Sequence, residues 1–327
     1  MPKAKATAKA VARQARVNRR IARRQLGRLG DNIVTPRMLA LYTEHCGRFC
    51  RLAFGTSSLP RRVAPEDVDD ALVVYLEILW EEGEPKSWAS YTLAGAQHFA
   101  PRLRRHLPAA WRLRAAWDRL ELPARAPPLT LDAVQALAGL ACEIGFERVG
   151  AGLMLAFHCF LRTGELLMVR AGDFEFDRRC RSGVVNLHVT KGGVRRVQQE
   201  MVTIDDAELV QWLARLCGAM LPGDTLIDVS QSRFRSIFVD LCLTLQLAAV
   251  RYKPYSLRRG GATYHYRRYG NLDATALRGR WACFRTARIY VTDGLAAQQE
   301  INFTDEHWYM FRRFRRSLAR AASGQQG

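Results

Sequence analysis

Five residues in the last two thirds of this 327-residue chain have side chains suited to displacement at a phosphodiester. They are two arginines, a lysine, a tryptophan and a tyrosine: Arg162, Arg258, Lys191, Trp281 and Tyr290. Such a displacement requires positive charge at the non-bridging oxygens, an in-line nucleophile and a proton for the leaving alkoxide. Arginine binds phosphate through a planar fork of N–H donors, and tyrosine can form a covalent intermediate that conserves bond energy for religation. Two flanking arginines would also favour the phenolate of a tyrosine, whose ordinary pKa is about 10.

These residues follow one another at defined separations. Arg162 is followed three residues later by Glu165 and a leucine. Trp281 lies 23 residues after Arg258, and Tyr290 lies nine residues after Trp281. Each residue alone has an ordinary structural explanation, such as a surface ion pair, a turn or core packing. The ordered set with two long separations is far harder to explain by chance.

The order and spacing resemble the catalytic half of the tyrosine recombinases, the phage-integrase family. That family carries an arginine followed by Glu-Leu, a hairpin lysine, a His-x-x-Arg motif, a His or Trp, and a nucleophilic tyrosine nine residues further on. Lys191, which precedes a Gly-Gly turn, matches the family lysine. The second motif here is Tyr255-Ser-Leu-Arg258, so a phenol, which is a poor base near pH 7, replaces the usual histidine. The Gly-Arg-Trp sequence before the nucleophile also resembles recombinases of eukaryotic mobile elements, such as cryptons.

The resemblance implies a role for each of these residues. Arg162 and Arg258 would clamp the scissile phosphate, with Glu165 orienting Arg162. Lys191 would protonate the leaving 5′ oxygen. Tyr290 would be the attacking nucleophile. Trp281 would donate an indole N–H or support the site, and Tyr255 would donate a hydrogen bond to the phosphate. The product would be a 3′-phosphotyrosyl link and a free 5′-hydroxyl, formed without a metal or nucleotide cofactor.

Basic residues around the second motif are candidates for DNA contacts. They are Arg259, Arg267 and Arg268. The aromatic residues interspersed with them are expected to pack and to contact phosphates rather than to act as nucleophiles: Tyr264, His265, Tyr266 and Tyr269.

The hydrophobic pattern predicts a mainly α-helical fold with a small antiparallel β-sheet. Residues 31–122 have helical periodicity and predict a bundle of four or five helices, which resembles the core-binding, DNA-clamping domain of the family. Residues 123–130 contain three prolines and predict a linker. Residues 131–303 predict the catalytic domain, with helices at 131–143 and 147–161 and two strands flanking the Gly-Gly turn at Lys191. Residues 304–327 predict a helix and tail, which could dock on a neighbouring protomer or pack within its own chain.

The chain carries a formal net charge of +19, which indicates a polyanionic partner, most simply double-stranded DNA. Residues 1–30 contain ten lysines or arginines and no acidic residue. We interpret this segment as a basic, disordered arm on phosphates or a nuclear import signal; a mitochondrial presequence and an inert tail remain alternatives. The expected location is inside the cell with DNA, and in the nucleus if the source is eukaryotic.

The eight cysteines are scattered without a CxxC pair, which argues against a zinc site and against a disulfide framework. His45, Cys46 and Cys50 lie close together, but that spacing on an apolar helix favours core packing. No apolar run approaches the roughly 18–20 residues that a membrane span needs.

Together these observations predict a site-specific DNA recombinase or integrase that exchanges strands as a homotetramer on DNA. A type IB topoisomerase, which uses the same chemistry to relax supercoils as a monomer, is one alternative. A catalytically silent DNA-binding protein derived from a mobile element is another, favoured only by Tyr255.

Overall fold

A computed structural model describes residues 2–25, 27–122, 125–187 and 200–324 of the chain. The chain divides into two compact units, Met1–Ala124 and Arg125–Gly327. Within the described ranges, no helix is both long enough and apolar enough to span a membrane.

The amino-terminal unit is helical. Its helices are α1 (Pro2–Gln25), α2 (Pro36–Phe54), α3 (Pro65–Glu81), α4 (Lys86–Phe99) and α5 (Pro108–Leu120). Thr35 begins α2 by accepting a hydrogen bond from the Met38 amide, and Gly55 ends it in the left-handed conformation. Helices α2–α5 enclose a core that includes Phe49, Leu72 and Leu93. Four helices therefore occupy the segment predicted to hold four or five.

The basic amino-terminal segment differs from the disordered arm that its composition predicted. Residues Pro2–Gln25 form a helix. Alanine and arginine are strong helix formers, and neither glycine nor proline interrupts residues 3–25. Val17 and Ile21 on this helix remain exposed. The segment is therefore a basic helix, and Val17 and Ile21 on it are in contact with solvent.

The carboxy-terminal unit combines ten helices with a small sheet among the residues described. The helices are α6 (Leu131–Glu143), α7 (Glu147–His158), α8 (Thr163–Leu166), α9 (Ala207–Gly218), α10 (Gln231–Thr244), α11 (Tyr255–Tyr269), α12 (Leu272–Arg278), α13 (Phe284–Tyr290), α14 (Asp293–Asn302) and α15 (Asp305–Ser323). The predicted helix at 131–143 is confirmed, with Thr130 as its cap. The second predicted helix ends at His158 rather than at 161, because the chain turns at Phe160, which has a positive φ of 48°.

The sheet has three antiparallel strands in the order β1 (Phe174–Phe176), β2 (Gly183–Leu187) and β3 (Glu200–Ile204). Val185 of β2 pairs with Phe174 on one side and with Val202 on the other. The prediction of two strands, β2 and β3, is confirmed; β1 was not predicted. The predicted turn that carries Lys191 lies outside the described residues. The expectation of a mainly α fold with a small antiparallel sheet is thus confirmed.

The carboxy-terminal helix α15 packs within its own chain. Phe311, Phe314 and Leu318 are buried in the core of the carboxy-terminal unit. Helix α6 provides room for it at Gly139, where an added Cβ would lie 1.8 Å from the carbonyl oxygen of Phe314. Of the two arrangements that the sequence left open, the structure has packing in cis.

Two consecutive glycines bring helix α11 against its neighbours. A Cβ at Gly260 would lie 2.1 Å from the carbonyl oxygen of Leu129, and one at Gly261 would lie 1.9 Å from that of Phe157. Because neither position has space for a side chain, the helix backbone makes direct contact with α7 and with the segment before α6. This contact buries the first turns of α11, which carry Arg258 and Arg259.

Candidate active site

The first arginine motif forms a compact ion pair at the start of α8. Arg162 precedes the first turn of that helix in extended conformation. Its backbone N–H donates to Oε2 of Glu165 at 2.9 Å, and its Nη1 donates to Oε1 of the same carboxylate. The Glu165 side chain is 4% exposed and that of Arg162 is 31% exposed. Glu165 therefore binds both the backbone and the guanidinium of Arg162, whose side chain remains partly exposed.

The second arginine is fully enclosed. The side chain of Arg258 is 0% exposed; its Nη2 donates to the Gly279 carbonyl at 2.7 Å and its Nη1 to the Phe160 carbonyl. Nη1 also lies 4.0 Å from Oε2 of Glu165. Burial, followed by the positive charge of nearby arginines, lowers the pKa of Arg258 to about 10, so the group is still cationic at neutral pH. Its buried Nε–H has no hydrogen-bond partner among the described residues.

Tyr290 lies against this arginine. It is the last residue of α13, and its ring centroid is 4.4 Å from that of Trp281. The Cζ atom of Arg258 is 5.4 Å from the centroid of the Tyr290 ring and 5.0 Å from that of Trp281. The Thr263 hydroxyl donates to the backbone oxygen of Tyr290 at 3.3 Å, which fixes the end of the helix. The phenol is thus packed between an indole and a buried cation.

Tyr255 contacts Tyr290 directly. Its hydroxyl donates a hydrogen bond to the hydroxyl of Tyr290, and the residue is 39% exposed. Burial acts to raise the pKa of Tyr290, but the hydrogen bond from Tyr255 and the charge of Arg258 outweigh it, so that pKa is lowered. The pKa of Tyr255 is raised, first by burial and then by its bond to Tyr290. Tyr290 is therefore the more acidic member of the pair, and Tyr255 is its hydrogen-bond donor.

Trp281 presents a buried indole donor beside Tyr290. Its Nε1 forms no hydrogen bond of good geometry among the residues described, yet its interaction with the Tyr290 side chain contributes to the lowered pKa of that residue. Gly279 makes its position possible, because a Cβ there would lie 2.2 Å from the Trp281 ring. The indole can thus both support the Tyr290 ring and donate a hydrogen bond.

Comparison with known proteins tests the fold around this cluster. No protein-family model and no curated protein matches the sequence. Among solved structures, a lambda integrase fragment (residues 75–356), a dimer bound to a COC′ core site, aligns with a TM-score of 0.50 at 17% identity, over 84% of this chain and 93% of that chain. The chain has the tyrosine-recombinase fold.

Other solved recombinases align over similar spans. The XerH site-specific recombinase, in a post-cleavage complex with palindromic difH substrate, aligns at 15% identity over 81% of this chain and 77% of that chain, with a TM-score of 0.49. The Tn1549 transposon integrase, in complex with circular intermediate DNA, aligns at 14% identity over 81% of this chain and 99% of that chain, with a TM-score of 0.47.

Within this tyrosine-recombinase fold, the structure gathers Arg162, Glu165, Tyr255 and Arg258 with Trp281 and Tyr290. Lys191 lies outside the described residues. The sequence analysis missed one charged member of the cluster, Arg280, whose Nη2 donates to Oε2 of Glu165 at 2.7 Å. The available signal was its place in the Gly-Arg-Trp sequence, where only the tryptophan had been assigned a role.

The three arginines predicted to contact DNA differ in their surroundings. Arg259 is buried. Arg267 forms ion pairs with Asp293 and, at 2.8 Å, with Glu300, so its charge is already neutralised. Arg268 is exposed and donates to the Tyr264 hydroxyl at 2.9 Å. Arg268 is therefore the best placed of the three to contact a phosphate.

Proposed function

We propose that the protein is a site-specific DNA recombinase or integrase that cuts and rejoins DNA through a 3′-phosphotyrosyl intermediate. The observation that supports this most strongly is the packing of the Tyr290 phenol over the Arg258 guanidinium, with Tyr255 bonded to its hydroxyl. A phenol with a lowered pKa beside two arginines has the features that a tyrosine nucleophile for a phosphodiester requires. That this cluster forms in a tyrosine-recombinase fold adds to the support.

In the proposed reaction the Tyr290 oxygen forms a bond to phosphorus as the bond from phosphorus to the 5′ oxygen breaks. The phenolic proton passes to solvent water before or during attack, and the 5′ oxygen takes a proton from Lys191, the role that the sequence resemblance implies for it. Arg162 supplies its partly exposed side chain to one non-bridging oxygen. Arg258 supplies a buried positive charge that needs no reorganisation during the reaction.

In this reaction Tyr255 has a different role from the histidine that usually occupies its position in the His-x-x-Arg motif. It donates to Tyr290 and so stabilises the phenolate, whose negative charge strengthens the hydrogen bond. Because its own pKa is raised, it does not compete for loss of a proton. A phenol at this position is thus compatible with catalysis.

The partner in this proposal is double-stranded DNA, which the excess of basic residues favours. We further propose that the helices of residues 31–122 clamp the duplex, and that the linker and catalytic parts correspond to residues 123–130 and 131–303. Strand exchange between two duplexes requires several protomers, so a homotetramer on DNA is the expected assembly. The expected place of action is with the DNA inside the cell.

A suicide substrate provides the test. DNA from the flanks of the gene, nicked so that a short 5′ fragment diffuses away after attack, should trap a covalent adduct that mass spectrometry maps to Tyr290. Tyr290→Phe should bind the same DNA and form no adduct. A plasmid that carries two copies of the flank should also yield recombinant products.

The other outcomes distinguish the alternatives. An adduct with relaxed plasmid but without recombinants or junctions would indicate a type IB topoisomerase activity. DNA binding without an adduct would indicate a silent DNA-binding protein. An adduct at Tyr264 or Tyr309 would contradict the assignment of the nucleophile.

A further inference from the structure

Arg280 has no step in the reaction proposed above, yet its side chain lies at the centre of the site. The side chain is 9% exposed, its Nη2 donates to Oε2 of Glu165 at 2.7 Å, and its Nε lies 3.4 Å from Oε2 of Glu200. Taking a guanidinium out of water is costly unless carboxylates and hydrogen bonds compensate. A buried arginine between two carboxylates from different elements is therefore expected to have a specific task.

The backbone of Arg280 is also unusual. Its φ is +55°, the left-handed region in which glycine is the residue without a steric cost. A side chain is retained in such a conformation only where the surrounding structure imposes it, and such positions cluster at functional sites. The conformation directs the chain from the end of α12 into the segment that carries Trp281.

Three consecutive residues of this turn contact three different parts of the site. The carbonyl of Gly279 accepts from Arg258, and the guanidinium of Arg280 binds Glu165. The indole of Trp281 packs on Tyr290. The turn thus touches the second arginine, the partner of the first arginine and the nucleophile.

We propose that Arg280 is a positioning residue that anchors this turn to Glu165 and Glu200, and thereby sets both the direction of Arg162 and the packing of Trp281 on Tyr290. The proposal rests on the proposed function for the reaction that it serves. The geometry that it controls can be measured independently of any reaction.

The hydrogen bonds of Glu165 show how the anchor acts on Arg162. Oε1 accepts from Arg162 Nη1, whereas Oε2 accepts from the Arg162 amide and from Arg280. Without Arg280, the next guanidinium nitrogen near Oε2 is Nη1 of Arg258, at 4.0 Å. The carboxylate would then be free to rotate toward Arg258, and Arg162 would lose its fixed support.

Arg280→Gly is the most informative variant, because glycine accepts the same backbone conformation and removes the whole side chain with its guanidinium. Arg251→Gly is its matched control. Arg251 has the same φ of +55°, is exposed, and forms no side-chain ion pair among the described residues. Both variants lose one positive charge and one side chain at a left-handed backbone position. Only Arg280→Gly also loses the contacts with Glu165 and Glu200.

The first measurement is ¹⁹F NMR of protein labelled with fluorotryptophan, with the Trp281 signal assigned through Trp281→Phe. The Trp281 signal should shift or broaden in Arg280→Gly and stay in place in Arg251→Gly. The second is adduct formation on the nicked substrate, which should slow by roughly 10- to 100-fold in Arg280→Gly, because small displacements of reacting groups have effects of that size. DNA affinity should be retained, and millimolar guanidinium ion should restore part of the rate.

An unchanged Trp281 signal together with an unchanged adduct rate would overturn the proposal. If the unaltered protein forms no adduct at all, the proposed function fails, and the NMR comparison still decides the role of Arg280. Should Arg280→Gly not fold, Glu200→Gln leaves the arginine in place and removes one partner. It is expected to move the same Trp281 signal, and a signal that does not move would count against the anchor.

Discussion

The hydroxyl of Tyr255 donates a hydrogen bond to the hydroxyl of Tyr290, and the two ring centroids lie 5.7 Å apart. In the sequence, Tyr255 stood out only as a replacement for the histidine of a His-x-x-Arg motif. In the structure it contacts Tyr290, the proposed nucleophile. In the proposed reaction, the residue at this position therefore serves the attacking oxygen rather than the phosphate.

This hydrogen bond predicts a shift in the pH dependence of adduct formation. Because the bond from Tyr255 contributes to the lowered pKa of Tyr290, Tyr255→Phe should raise that pKa. The phenolate fraction at a given pH then falls, and the rising limb of the pH–rate profile moves to higher pH. Single-turnover rates between about pH 6 and pH 10 would measure this. A slower rate with an unmoved limb would indicate that Tyr255 acts on the phosphate instead.

Alanine substitutions of Arg162 and Arg258 should slow cleavage to a similar extent but should differ in their effect on the stability of the folded protein. Alanine at either position should slow cleavage on the order of 10²–10³-fold, and Arg162→Lys should also be slow because the planar fork is lost. Arg258→Ala leaves the carbonyl of Gly279 without its donor, at a cost of about 1–3 kcal/mol for an unsatisfied buried group, and leaves that of Phe160 with only the longer bond from Arg280. Thermal unfolding should therefore show a clearly lower melting temperature for Arg258→Ala and little change for Arg162→Ala. Near-normal cleavage by either variant would contradict the phosphate clamp.

Lys191 is predicted to be the general acid. A substrate with sulfur at the bridging 5′ position releases a thiolate, which leaves without a proton. Lys191→Ala should therefore be severely slow on ordinary DNA and largely restored on the sulfur substrate. If the sulfur substrate restores the rate of Tyr255→Phe but not that of Lys191→Ala, the general acid is Tyr255.

The basic helix α1 predicts a salt effect on binding. If its arginines contact phosphates, deletion of residues 1–30 should reduce the slope of log affinity against log salt by roughly 0.9 for each lost contact. Fluorescence anisotropy over a salt series measures the slope. An unchanged slope would leave a targeting role or an inert tail for this segment.

Cleavage is expected to continue in EDTA. The proposed transesterification uses arginines for charge neutralisation, and no cluster of three metal-binding side chains occurs among the described residues. Adduct formation with and without EDTA tests this directly. Strict dependence on magnesium would require a different mechanism.

That Arg162, Arg258, Trp281 and Tyr290 lie together was predictable because the sequence displays their side-chain types and separations directly; their chemical roles stay predictions. Helix α6 was predictable for a similar local reason, since Thr130 and Asp132 provide a cap and a first turn. The proposed role of Arg280 was not predictable, because it depends on Glu165 and Glu200, which lie far from Arg280 in the chain. The strand β1 has only three residues, too few for a periodic pattern.

The position of α15 also could not be predicted from the local sequence. Its spacing of aromatic and aliphatic residues predicts that one face is covered, but an amphipathic pattern does not say by which chain. The deciding feature is Gly139, distant in sequence, whose missing side chain admits the backbone at Phe314. Likewise, the residues that predicted a hydrogen bond from Tyr255 to phosphate could not reveal that the hydroxyl of Tyr290 is within its reach.

The packing of α15 on α6 also sets the order in which the protein can mature during synthesis. Helix α6 is made well before Phe311, Phe314 and Leu318, which lie roughly 170 to 190 residues further along the chain. Until those residues are made, the apolar surface of α6 near Gly139 has no cover, so the carboxy-terminal unit cannot complete its core. The core of this unit therefore closes only after both α6 and α15 have been made.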